Sequence, residues 1–157
     1  MPPSRLEAAG YLAPDQKEYL ASIEQKFRDW GLADEFRYHG TLDRAGKVAF
    51  LRTIDAMAVP STYAEPKGLY LLEAMACGAP VVAPNHGAFP EMLNATGGGL
   101  LARPNDPASF ADGLSALRDR PGQARDMGLR GAAGVREHYS AKRMAERVLE
   151  IYSEVAC

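Results

Sequence analysis

The sequence predicts an α/β fold in which a parallel sheet carries helices on both faces. Three observations lead there. Short strand-like apolar runs alternate with longer segments of helical spacing. Glycine and proline close most of these segments, so the alternation is punctuated rather than continuous. The chain has 157 residues and 46% hydrophobic content, enough for one sizeable core but hardly two. Strands separated by helices in this rhythm imply parallel pairing, with both sheet faces covered. That is a Rossmann-like arrangement, whose ligand crevice lies beyond the carboxyl ends of the strands.

Taken in order, residues 6–12 read as a strand that ends at Ala13-Pro14. Residues 15–30 predict a helix with Leu20, Ile23 and Phe27 on one face, closed by Gly31. A short strand over 35–39 is stopped by Gly40, and 43–53 is helical, with Val48 and Leu51 leading into Ile54. Residues 55–60 form a strand whose carboxyl edge delivers the loop holding Glu65. A helix follows over 66–77, with Pro66 in its first turn, where a missing N–H removes no hydrogen bond. Gly78 stops it, 80–83 is a buried strand, and a short helix ends over 91–94. Residues 99–102 make another strand, and a helical tail runs over about 107–157, its first helix over 107–120. His39-Gly40, Pro60-Ser61 and Asn85-His86-Gly87 all fall at carboxyl ends of strands. Gly97, Gly98 and Gly99 lie between a helix and a strand, the reverse of a P-loop order, and read as a tight turn.

Composition excludes several classes. A net charge of −2 argues against a nucleic-acid partner. No apolar run approaches the roughly 20 residues of a membrane helix, and Met1-Pro2-Pro3 does not start a signal peptide. The expected location is therefore cytoplasmic. Cys77 and Cys157 have no metal-ligand spacing and read as free thiols. His39, His86 and His138 are scattered, so no metal is expected. Arg118, Arg120, Arg125, Arg130, Lys142 and Arg143 make the tail basic, which reads as a solvated helical surface. A weak peripheral contact with anionic lipid is the alternative. Met144, Val148, Ile151 or Tyr152, and Val155 fall at helical spacing, a stripe that packs on this domain or docks against another.

The richest stretch is Glu65-Pro66-Lys67-Gly68-Leu69-Tyr70-Leu71-Leu72-Glu73. Two carboxylates bracket a loop-to-helix junction, where free N–H groups and the helix dipole favour phosphate. Gly68 lets a ligand approach the backbone closely. On one helix, Glu65 and Glu73 would be about 12 Å apart along the axis, too far to share a proton. Each therefore serves a different part of an extended ligand that is anionic in one place and rich in hydroxyls elsewhere. A nucleotide sugar has that form.

Pro60-Ser61, Glu65-Pro66-Lys67-Gly68-Leu69 and Leu72-Glu73-Ala74-Met75-Ala76-Cys77-Gly78-Ala79-Pro80-Val81-Val82 together resemble glycosyltransferase family 4. These are retaining, nucleotide-sugar-dependent enzymes of the GT-B fold. The likeness continues through Gly87-Ala88-Phe89-Pro90-Glu91, Gly97-Gly98-Gly99-Leu100-Leu101 and Pro104-Asn105-Asp106-Pro107. It implies that residues 1–157 are a single donor-binding domain, the C-terminal half of such an enzyme, lacking its first strand and helix and the N-terminal acceptor domain. A shortened chain of this kind is expected not to transfer sugar alone. The resemblance further implies that Glu73 holds the donor ribose hydroxyls and that Gly68 and Leu69 offer N–H groups to the distal phosphate. Glu65 is implied as the catalytic residue, orienting the transferred sugar and stabilising positive charge at its anomeric carbon. Lys67 helps neutralise phosphate or faces solvent, backbone at Gly40 meets the nucleobase, and His86 joins the donor site. No cofactor or metal is implied. A non-catalytic module that binds a nucleotide or a protein through the same surface is the alternative.

Overall fold

The structure is a computed structural model that describes residues 4–155; Met1-Pro2-Pro3 and the Cys157 thiol lie outside the described residues. The chain divides into two compact units, with the boundary between Val48 and Ala49.

In the first unit, β1 (Leu6–Ala8) pairs in parallel with β2 (Phe36–Tyr38), Leu6 opposite Phe36. Between them run a 3-10 turn (Pro14–Gln16), α1 (Lys17–Asp29) and a second turn (Ala33–Glu35). Leu20, Ile23 and Phe27 share the half-buried face of α1, as the spacing predicts. The Phe27 ring stacks on Phe36 at 5.1 Å and tilts against Trp30 at 5.7 Å, the offset geometry that aromatic quadrupoles favour. Beyond the strands, the His39 N–H donates to the Ala8 carbonyl (2.8 Å) and the Gly10 N–H to the Gly40 carbonyl (2.9 Å). The strand expected over 6–12 stops at Ala8 because its partner β2 ends at Tyr38. α2 (Arg44–Leu51) spans the boundary between the units.

The second unit holds β3 (Met57–Ala58), α3 (Leu69–Ala76), β4 (Val81–Pro84), α4 (Phe89–Thr96), β5 (Gly99–Ala102), α5 (Pro107–Asp119), α6 (Pro121–His138) and α7 (Ala141–Val155). Its strands pair in parallel in the order β3-β4-β5. β4 lies between two partners and is buried throughout, which suits its unbroken apolar run. Strand alternation sends Val81 and Ala83 to one face, with Leu71, Met75, Phe89 and Leu93 of α3 and α4. Val82 points the other way, onto Ala102 and Leu117 of α5. Helices therefore cover both faces, as expected. The single expected sheet is two among the described residues, β1-β2 and β3-β4-β5, because β1 and β3 are each hydrogen-bonded to a described strand along one edge only. β3 is shorter than the expected 55–60: Met57 and Val59 donate to β4's side, but the next N–H facing it, that of Ser61, turns back to the Val59 carbonyl and ends the ladder.

α6 packs closely because its facing positions are glycine. A Cβ at Gly134 would stand 2.6 Å from Thr96 Cα, one at Gly131 2.9 Å from Gly98 Cα, and one at Gly128 would strike the Gly78 carbonyl oxygen. Gly98 and Gly99 in turn lie against Met75 and Val81, so the triple glycine is a packed turn and not a phosphate loop. α7 differs throughout. Met144, Val148, Leu149, Ile151 and Tyr152 are exposed. Its cations face its own acids: Lys142 and Arg143 meet Glu146 at 3.8 and 3.5 Å, and Arg147 meets Glu150 at 2.8 Å. Among the described residues, no helix is long and apolar enough to cross a membrane.

Candidate functional site

The site is built on the connection from β3 to α3. After buried Val59 the chain turns, with the Ser61 N–H on the Val59 carbonyl and Ser61 Oγ donating to the Tyr63 carbonyl at 2.9 Å. The carboxylate of Glu65 then folds forward along the chain. Its Oε1 accepts the N–H groups of Lys67 (3.1 Å) and Gly68 (3.2 Å). Its Oε2 accepts the hydroxyls of Tyr63 (2.9 Å) and, more loosely, Tyr70 (3.4 Å). Those four donors match the about four acceptor sites a carboxylate has. The Lys67 and Gly68 N–H groups, followed by the Tyr63 hydroxyl, hold the Glu65 carboxyl below its ordinary range. Reciprocally, the bond to Glu65 raises the Tyr63 hydroxyl. Burial, followed by the charge of Glu65, pushes Tyr70 up to about 12.

This arrangement corrects the expected helix start. α3 begins at Leu69, not Pro66, and Pro66 belongs to the loop. Gly68 delays the helix: it adopts a left-handed conformation (φ 54°) that no helical interior accommodates, and the N–H groups of Lys67 and Gly68 go to the Glu65 carboxylate ahead of it. A side chain at Gly68 would also meet the Phe89 ring at 2.9 Å. Glu65 and Glu73 are thus not on one helix, and the rise of about 12 Å expected between them does not apply. Glu73 is half-buried on α3. The Gly68 N–H, expected to face phosphate, donates instead to Glu65. The Gly68 carbonyl accepts from Leu71 and Leu72, which leaves Leu69 and Tyr70 as the first-turn residues whose N–H groups have no intrahelical acceptor.

A second connection, between β4 and α4, braces this loop at two points. His86 Nε2 lies 3.2 Å from the Ser61 carbonyl, a contact in which that nitrogen carries the hydrogen. Its buried Nδ1 has no hydrogen-bond partner among the described residues. The Ala88 N–H donates to the Glu65 carbonyl at 2.9 Å. Between them, Gly87 (φ 59°) passes so close that a Cβ there would stand 2.6 Å from the Glu65 carbonyl oxygen. Only glycine satisfies both the backbone angle and the space.

The structure therefore brings Glu65, Gly68, Leu69 and His86 to one loop-helix junction, with exposed Lys67 at its rim and Glu73 further along α3. Gly40 belongs to the first unit, at the end of β2. Glu91 is exposed on α4. Tyr63 and Tyr70, which sequence reasoning passed over, are the side chains that touch Glu65. Tyr63 is at strand spacing from Glu65 but lies in a loop, and the offset of five to Tyr70 matches neither period, so the spacing carried no signal. Cys77 is a free, half-buried thiol at the end of α3. Among the described residues, no three His, Cys, Asp or Glu side chains cluster as a metal site.

Comparison with known proteins adds to this geometry. The family model described as Glycosyl transferases group 1 matches residues 2–133. A phosphatidyl-myo-inositol mannosyltransferase from Mycobacterium leprae is 36% identical over 126 residues, covering 80% of this chain and 33% of its own. The chain spans about a third of the length of the curated relatives it matches. Among solved structures, sucrose-phosphate synthase from Thermosynechococcus elongatus superposes with a TM-score of 0.84 at 27% identity, over 99% of this chain and 39% of that one. The Anabaena protein Alr3699/HepE, solved in complex with UDP, superposes with a TM-score of 0.87 at 22% identity, over 98% and 42%. At that identity the second likeness speaks for the fold alone.

Proposed function

Because the chain belongs to the glycosyl transferases group 1 family, we propose that it is the donor-binding part of a retaining glycosyltransferase, taking a nucleotide sugar. The observation that carries this reading is the ionised Glu65 in the loop ahead of α3, with Glu73 on that helix. In this reading the N–H groups of Leu69 and Tyr70 face the distal phosphate, where the helix dipole favours negative charge. Glu73 holds the ribose hydroxyls, since a carboxylate makes strong charge-assisted bonds to paired hydroxyls. Glu65 orients the transferred sugar. Its depressed titration keeps it ionised near neutral pH, so it stabilises developing positive charge rather than donating a proton. Exposed Lys67 adds a cation at the phosphate end. His86 serves the donor site by holding the Ser61 end of the loop.

Charge neutralisation by N–H groups and basic side chains removes the need for a metal in this scheme. A domain that binds the acceptor completes the enzyme, and the work is cytoplasmic, in polysaccharide or glycolipid assembly.

The test is thermal unfolding with UDP, GDP, ADP and their sugar conjugates. A nucleotide at a hundred times its dissociation constant adds about 2.7 kcal/mol to the native state. Glu73→Ala is expected to weaken binding of the bare diphosphate, and Glu65→Ala only that of the sugar-bearing form. A melt unmoved by every nucleotide, or identical behaviour of the two variants, overturns the assignment.

A further inference from the structure

Glu65 is already saturated before any ligand arrives. Oε1 is committed to two backbone N–H groups of the loop, and Oε2 to two tyrosine hydroxyls. A sugar hydroxyl that binds this carboxylate must therefore displace a donor already there. The two N–H groups are poor candidates, because Gly68 is buried and its conformation is fixed where α3 begins. The two hydroxyls differ in what release costs them. Tyr70 is half-buried beside Phe89, with ring centroids 6.5 Å apart, and a freed hydroxyl there leaves a partly desolvated donor unpaired. Tyr63 is 61% exposed, and its hydroxyl can pass to water without that penalty.

We propose that in the ligand-free chain the Tyr63 hydroxyl holds the place on Glu65 Oε2 that a hydroxyl of the donor sugar takes over on binding. This rests on the donor-site reading above and adds to it a residue that sets how strongly the sugar end is held. Tyr63 competes with the sugar for one oxygen, while Tyr70 stays on that oxygen as a fixed partner. The loop is shaped for such an exchange: Ser61 Oγ fixes the Tyr63 carbonyl, so the side chain can swing while the backbone stays in place.

The experiment compares the affinity of the 157-residue chain for a nucleoside diphosphate with that for its glucose conjugate, by calorimetry. UDP, GDP and ADP serve as probes. Tyr63→Phe keeps the ring and removes the competing hydroxyl, so the preference for the sugar-bearing form is expected to rise by about 2- to 5-fold. A preference that falls or stays level in Tyr63→Phe overturns the proposal. A ligand-free arm follows the Tyr63 phenol by NMR titration, which in Glu65→Gln is expected to move back toward the ordinary tyrosine value of 10.0. An unmoved phenol also overturns the proposal, by showing that the bond is not made. If the phenol responds but the unaltered chain binds no nucleotide, the donor reading fails and the exchange falls with it; the intact Tyr63–Glu65 bond separates this outcome from the others.

Discussion

The two units of this chain are held together by different means. Among the described residues up to Val48, none is fully buried, and the first unit rests on a short parallel pair, an aromatic stack and hydrogen bonds between loops. Beyond Ala49, Leu71, Met75, Val81, Val82 and Phe89 have no exposed surface at all. Each such side chain contributes about 1.5–3 kcal/mol through burial. The loop that carries Glu65 is braced by residues of the second, close-packed unit, through His86, Gly87 and Ala88. The Glu65 carboxylate thus sits beside the part of the molecule that is packed most closely.

Truncating one aromatic in each unit would break or confirm this contrast. Phe89→Ala is expected to cost about 3–5 kcal/mol in denaturant unfolding. Phe27→Ala, from a half-buried stack, is expected to cost less than about 2 kcal/mol. Equal losses would mean that the first unit is as tightly packed as the second. The next effect concerns how the second unit closes. Gly128→Ala places a Cβ against the Gly78 carbonyl and is expected to cost about 1–3 kcal/mol, read as a lowered midpoint with an unchanged denaturant slope. A neutral substitution there would show that α6 can ride outward.

The smallest effect comes from acid. The folded-state titration of Glu65 lies below its ordinary value of 4.5. The stability this contributes is therefore present above about that pH and is lost as pH falls through the lowered folded value. Asp106, Asp119 and Glu150, all in the second unit, act in the same direction. The difference between the unaltered chain and Glu65→Gln isolates the loop. The variant's melting temperature is expected to fall less on acidification through that range, and parallel curves would refute the bond set drawn around Glu65.

Much of this was legible in the sequence. β5 was placed residue for residue, and the face of α1 followed from its spacing. Periodicity reports local geometry and burial faithfully. The misplacements share another cause: backbone turns and strand partners that periodicity does not report. The start of α3 moved from Pro66 to Leu69 because Gly68 is left-handed, which no helical interior accommodates. β1 stopped where its partner β2 ends, and β3 where the Ser61 N–H turned back to the Val59 carbonyl. At the site, Glu65 and Glu73 stood out through their company of proline, glycine and apolar residues. Tyr63 and Tyr70 carried no such signal, since two hydroxyls meeting on one oxygen is a fact of loop shape.

The glycines of α6 also bear on the order in which the molecule can be completed. Gly128, Gly131 and Gly134 seat against Gly78, Gly98 and Thr96, positions 30 or more residues earlier in the chain. A growing polypeptide makes the Glu65 loop, α3, α4 and β5 well before the helix that closes over them. Until α6 emerges, the backbone seats at Gly78, Thr96 and Gly98 stand open, and the scaffold under the carboxylate has its strands and helices but not its lock. Synthesis thus delivers the side chains around Glu65 early and the rigidity beneath them last.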